Sequence, residues 1–193
     1  MFARYSRFDK NVNIRNKHFK FLVKRLADYA TLGIHPSYYS IENPNYLSFE
    51  TGKLSEVLNQ DVSRSRQQFL RLMLPDTYRN LLENDITDDY TMGYAALPGF
   101  RAGICSTYSF YDLDREEETK LRIHPFAVMD GTLKDYLNLT PDEAIDQIKR
   151  LIFEVKKVNG TFISLWHNES LSDLKRWKGW RRVYEELLEM AAG

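Results

Sequence analysis

Stretches of period-two hydrophobicity alternate with stretches of helical period along almost the whole 193-residue chain. That alternation constrains the fold more than any other feature. It predicts an α/β domain whose strands run mainly parallel, in an open sheet or a barrel. Asn16 is placed to cap a helix whose apolar stripe is Phe19, Leu22, Val23, Leu26, Ala27 and Ala30. Residues 31–35 then read as a short strand, and Pro36 turns His35 away from helix. Residues 49–58 carry a second helical pattern. Residues 67–74 (QQFLRLML) read as a strand closed by Pro75. Asp76 and Thr77 can cap the helix that follows, with Tyr78, Leu81 and Leu82 inward. Residues 90–95 and 121–129 are further strands, the second limited by Pro125 to one-sided pairing or a bulge. The clearest helix start is Thr140 to Glu143, a capping box with Pro141 at the first helical position. Its stripe is Ala144, Ile148, Leu151, Ile152 and Val155, and Asn159-Gly160 stops it. Residues 161–166 form a buried strand running into His167, and Val183, Tyr184, Leu187 and Leu188 mark a last helix. The total is about five strands and five helices.

A chain of this length is expected to be one domain, residues 1–193, with a core large enough to need no staples. Cys105 is its only cysteine, so no intrachain disulfide and no cysteine-based zinc site can form. Lys plus Arg and Asp plus Glu are both 27, a balance that argues against a dedicated nucleic-acid or membrane-surface protein. No window approaches the 18 consecutive apolar residues of a membrane span. The first 13 residues lack the apolar core of a signal peptide, so a cytoplasmic location is expected.

In sheets and barrels of this class, functional side chains gather where strands end. Those positions hold His35, Arg66, Arg71, Arg101, Asp130 and His167. Buried ionisable groups cost free energy unless paired, so several at strand ends suggest a site. His167 continues the face of Ile163 and Leu165. It is either a working imidazole or a core histidine satisfied by a carbonyl. His35 lies between Gly33, which permits close backbone approach, and Pro36, which stiffens the turn; an ordinary loop histidine is the alternative. Asp130, before Gly131, reads equally as a turn residue, an N-cap or an acid that orients a catalytic group. His18 and His124 read as structural or solvated. The run 175–182 (KRWKGWRR) could stack on and neutralise nucleic acid. A solvated turn with Trp180 docked on the core fits better, since Glu185, Glu186 and Glu189 follow. No phosphate-binding loop or dinucleotide fingerprint is present.

The segments GIHPSYYS (33–40), SRQQFLRLMLPDTYRNLLENDITDDYTMGYA (65–95), GFRAG (99–103), PFAVMDGTL (125–133) and LWHN (165–168) occur in that order. Together they resemble a bacterial branch of the NodB-type polysaccharide deacetylases, over nearly the whole chain. The resemblance implies a distorted (β/α)7 barrel that removes acetyl groups from sugars by metal-assisted water attack, with zinc held by one aspartate and two histidines. It implies His35 as a metal ligand and His167 as the general acid for the leaving nitrogen. Asp130 stands where an acid tunes that histidine, and Arg66 or Arg71 where an arginine positions the base. Carbohydrate is the implied partner, bound by Tyr38, Tyr39, Tyr94, Arg101, Trp166 and Asn168. Two departures accompany it. Tyr39 occupies the place of the second metal histidine, a poor replacement for imidazole at zinc. Nothing before His35 resembles the first strand with its paired aspartates. The resemblance therefore implies a barrel incomplete at its N-terminal end, with weak or no activity in this chain alone. A non-catalytic glycan-binding module on the same barrel is the alternative.

Overall fold

The computed structural model describes residues 5–192. The chain divides into two compact units. The first runs to Thr91 and takes up the chain again at Tyr108–Ile123; the second comprises Met92–Thr107 and the chain from His124 onward. The architecture is mixed α/β.

In the first unit, helix α1 (Lys17–Ala27) begins as expected. The Asn16 side chain accepts the backbone N–H groups of His18 and Phe19, which answers two of the donors a helix start leaves open. Its apolar stripe is mostly uncovered: Val23 is buried, while Leu22 and Leu26 are exposed. Helix α2 (Pro44–Leu58) starts earlier than its pattern suggested, capped by Asn43 with Pro44 at the first position. Helix α3 (Asp76–Glu83) puts Tyr78 and Leu81 in the core as expected, without the side-chain cap proposed for Asp76 or Thr77.

Strands here are shorter than the periodicity implied. β1 is Arg64–Ser65, β2 Asp88–Asp89, β3 Tyr108–Asp112 and β4 Glu117–Ile123, in the order β1-β2-β4-β3. β1 pairs parallel to β2 and β2 to β4, whereas β3 and β4 form an antiparallel hairpin. The stretch 67–74 is not a strand but turns through a short 3-10 segment at Gln68–Leu70. Phe69 and Leu70 there take left-handed backbone, which no strand accommodates. Residues 31–35 contribute one parallel bridge, Ile34 to Ser65. Gly33 makes that approach possible: a Cβ there would lie 2.7 Å from the Arg64 carbonyl oxygen. The core of this unit includes Ile34, Leu47, Leu54, Leu81, Ile86 and Ile123.

In the second unit β5 (Val128–Met129) pairs parallel to β6 (Ser164–Leu165). The expected single strand 121–129 is thus two, parted at His124-Pro125, because proline withholds the N–H a ladder needs. The strand expected at 90–95 lies outside β2. Its Gly93 faces the Phe126 ring so closely that any side chain there would collide with it. Helix α4 (Pro141–Lys157) has the capping box Thr140–Glu143 in both directions and buries Ala144, Ile148, Ile152 and Val155. Helix α5 (Trp180–Ala192) packs on it through Trp180, Val183 and Leu187, with Trp177 beside them. Both tryptophans of the basic run are therefore core residues, and Arg176 and Arg182 pair with Asp135 and Asp142. Among the described residues no helix is long and apolar enough to cross a membrane.

Candidate functional site: a buried aspartate holding an exposed histidine

The short ladder β5–β6 ends in two polar residues. Asp130 follows Met129, and His167 follows Leu165 by two positions. Parallel pairing of Met129 with Leu165 brings both to the same end of the ladder. Asp130 is sealed from solvent, while 56% of the His167 side chain is exposed. The backbone N–H of His167 donates to Asp130 Oδ2 at 2.8 Å, and its ring Nδ1 lies 2.7 Å from Oδ1. The Ser170 hydroxyl lies 2.5 Å from Oδ2 and 2.6 Å from the His167 carbonyl, and Gly131 N–H donates to Oδ1 at 2.7 Å. Burial pushes the Asp130 carboxyl up, but the bonds from His167 and Ser170 outweigh it and hold the group below the usual carboxylate range. An anionic acceptor at Nδ1 keeps the hydrogen on that nitrogen, so any proton the ring trades with a ligand passes through Nε2. Of the three readings left open for Asp130, the geometry is that of the acid that orients a histidine.

His35 belongs to the first unit. It is exposed, and its Nδ1 donates to the Arg66 carbonyl at 2.6 Å. The arginines beside it take separate tasks. Arg66 is half-buried, donates from Nε to the Tyr90 carbonyl at 3.1 Å, and has its pKa lowered by burial against the attraction of Asp89. Arg71 donates to the Tyr38 carbonyl at 2.9 Å, lies over the Tyr38 ring and pairs with Glu42. Tyr38 is half-buried against Phe8, whereas Tyr39 is 41% exposed. In the second unit Tyr94 is 43% exposed and Arg101 and Asn168 are exposed. Trp166 leans on Tyr184, with centroids 5.3 Å apart, and packs against the helix core. That makes it a packing residue more than an open sugar platform.

Sequence reasoning missed a second buried carboxylate. Asp89 on β2 is fully buried, and both its oxygens are taken by Thr91: the N–H at 2.9 Å and the hydroxyl at 2.7 Å. Burial pushes its pKa up to about 6, against the Thr91 bonds and the charge of Arg66. Ser170, three residues after His167, was likewise overlooked.

The donors of the described residues do not fit the zinc that the resemblance implies. Among the described residues no group of three or more His, Cys, Asp or Glu side chains is arranged to hold a metal. Asp89 is occupied by Thr91, and Asp88 by Thr87 and Arg122. Tyr39 packs edge-on to Tyr38. No protein-family model matches the chain, and comparison with curated proteins finds no similar sequence.

Proposed function

We propose that the chain is a hydrolase-type domain of the NodB polysaccharide-deacetylase kind, acting on acetylated sugars on a (β/α)7-type barrel. Its working proton donor is His167. The observation that carries this reading is the contact of the sealed Asp130 carboxylate with both the ring and the backbone of an exposed imidazole. Asp130 fixes the tautomer and stabilises the imidazolium, and Ser170 and Gly131 hold Asp130. Water adds to the acetyl carbonyl carbon and forms the new C–O bond, the ring gives its Nε2 proton to the departing sugar nitrogen as the acetyl C–N bond breaks, and the proton the water loses passes to solvent, leaving acetate and the free amine. Among the described residues no donor set fits zinc, and the roles of His167 and Asp130 do not depend on one.

Acetate release from N-acetyl chito-oligosaccharides tests the reading. Whatever rate the wild type shows, His167→Gln is expected to lower it by about 10²–10⁴-fold, the usual worth of a positioned acid. Turnover untouched by that change would remove His167 from the chemistry. A second reading, a glycan-binding module without catalysis, is favoured by the exposed Tyr39 and Tyr94, with no metal-holding group among the described residues. Calorimetric binding of the oligosaccharide without acetate release, unchanged by chelator, would select it.

A further inference from the structure

The turn after His35 is held by charged side chains from three places in the first unit. Ser37 N–H donates to Glu50 Oε2 at 2.9 Å, and the Ser37 hydroxyl to Oε1 at 2.5 Å. Tyr38 N–H donates to Asp9 Oδ1 at 2.8 Å, and the Tyr38 carbonyl accepts from Arg71 at 2.9 Å. The Ser37 carbonyl accepts from Ser40, from its N–H at 3.0 Å and its hydroxyl at 2.7 Å. Every backbone polar group of these two residues therefore has a partner, and most of those partners are charged. Glu50 and Asp9 are each 1% exposed. Glu50 lies in the middle of α2, where Leu47, Leu54 and Val57 are the other large buried side chains.

Burying a carboxylate is costly, and a surface turn can satisfy its backbone with water or with other backbone groups. Two buried carboxylates spent on adjacent residues are out of proportion to a connecting loop. A carboxylate that accepts through both oxygens fixes orientation as well as distance. Pro36, buried and stiff, is all that separates Ser37 from His35, so a displacement of Ser37 carries over to the imidazole. From the other side, the bond to the Arg66 carbonyl anchors the ring.

We propose that Glu50, assisted by Asp9, is a positioning residue: it locks the His35–Tyr39 turn so that the His35 ring and the Tyr39 ring meet a ligand in one arrangement. The proposal rests on the reading of this chain as a sugar-directed domain, and it gives His35 a contact with the sugar in place of the metal that its motif implies. Its test observes the ring directly. In nitrogen-resolved NMR of the full chain, Glu50→Gln is expected to shift or broaden the His35 ring signals. It should also speed amide exchange at Ser37 and Tyr38 by about tenfold, the worth of one charge-assisted hydrogen bond. Leu54→Ala, buried on the same helix, should speed exchange through α2 and leave the His35 ring where it was. The proposal is overturned if Glu50→Gln leaves the ring signals in place, or if Leu54→Ala moves them equally. Should Glu50→Gln not fold, Ser37→Ala removes one of the two contacts without touching the carboxylate. The same ring displacement is then expected, and unmoved signals overturn the idea. A chain that moves its His35 signals as expected yet neither releases acetate nor binds the oligosaccharide sinks the functional reading alone.

Discussion

Two aspartates, one in each unit, are equally hidden from water and yet are driven in opposite directions. Asp130 and Asp89 both show no exposure. Asp130 is held below the usual carboxylate range, while Asp89 is pushed up to about 6. Desolvation is the largest influence on each, and it acts upward in both. The difference lies in what faces the oxygens. Asp130 collects donors from His167, Ser170 and Gly131, one of them an imidazole that can carry charge. Asp89 has one residue, Thr91, and an arginine that turns its Nε to a carbonyl instead. Burial alone therefore does not say what a carboxylate does. The first arrangement suits an anion that steadies a histidine, and the second a group that changes charge near neutral pH.

The comparison breaks most visibly if Asp130 proves dispensable. Asp130→Ala leaves the His167 N–H and ring without their acceptor inside the second unit. The expected loss is about 3 kcal/mol, the upper end for hydrogen bonds to a charged group, since the His167 and Gly131 N–H groups lose their acceptor while the exposed His167 ring rehydrates. Urea unfolding measures it. A loss under about 1 kcal/mol would mean that the network is ornament, and His167 would lose its claim to a fixed tautomer.

The pH dependence comes next. Asp89 has its pKa raised in the folded state from 3.8 to about 6. Between those values the folded protein binds the proton that the unfolded chain releases, so this group's contribution is present at low pH and is lost as pH rises to about 6. The loss is on the order of 3 kcal/mol at about 1.4 kcal/mol per unit. Asp130, being depressed, does the reverse: its contribution is present above 3.8 and is lost as pH falls through the lower folded value. Unfolding wild type and Asp89→Asn at pH 4 and pH 7 separates them. The variant should gain on the wild type as pH rises, and parallel curves would refute the raised pKa.

One side of this contrast, Asp130 with His167, was legible in the sequence, and the other was not, for physical reasons. Local signals carried well: Asn16 and the Thr140–Glu143 box cap their helices, and the α4 stripe is buried. Asp130 and His167 were found because both sit where an apolar strand runs out. Strands were overread. In 67–74 the alternation is real, but Phe69 and Leu70 take left-handed backbone, and no two-residue pattern announces that. The β3–β4 hairpin went unseen because its seven-residue β4 opens with a charged run, Glu117 and Glu118, and its pairing partner is mostly half-exposed. Asp89 and Glu50 were missed for a different reason. Each is an ordinary polar residue in sequence, and only tertiary packing makes it a buried one.

The smallest expected effect sharpens the comparison furthest, because it changes one donor at a time. Ser170→Ala removes a hydroxyl from Asp130 and leaves the His167 and Gly131 donors in place. About 1 kcal/mol should be lost, the usual net value of one hydrogen bond, and the Asp130 midpoint should move upward. Thr91→Val makes the matching change at Asp89, which then keeps only the Thr91 backbone N–H. Its midpoint should climb beyond its present value, and by more than that of Asp130, because a carboxylate with fewer donors feels the loss of each more. Carboxyl-carbon NMR titration reads both midpoints in one experiment. If Asp130 moved further than Asp89, the number of donors would not explain why the two sites differ, and the charge of the His167 imidazole would have to account for it alone.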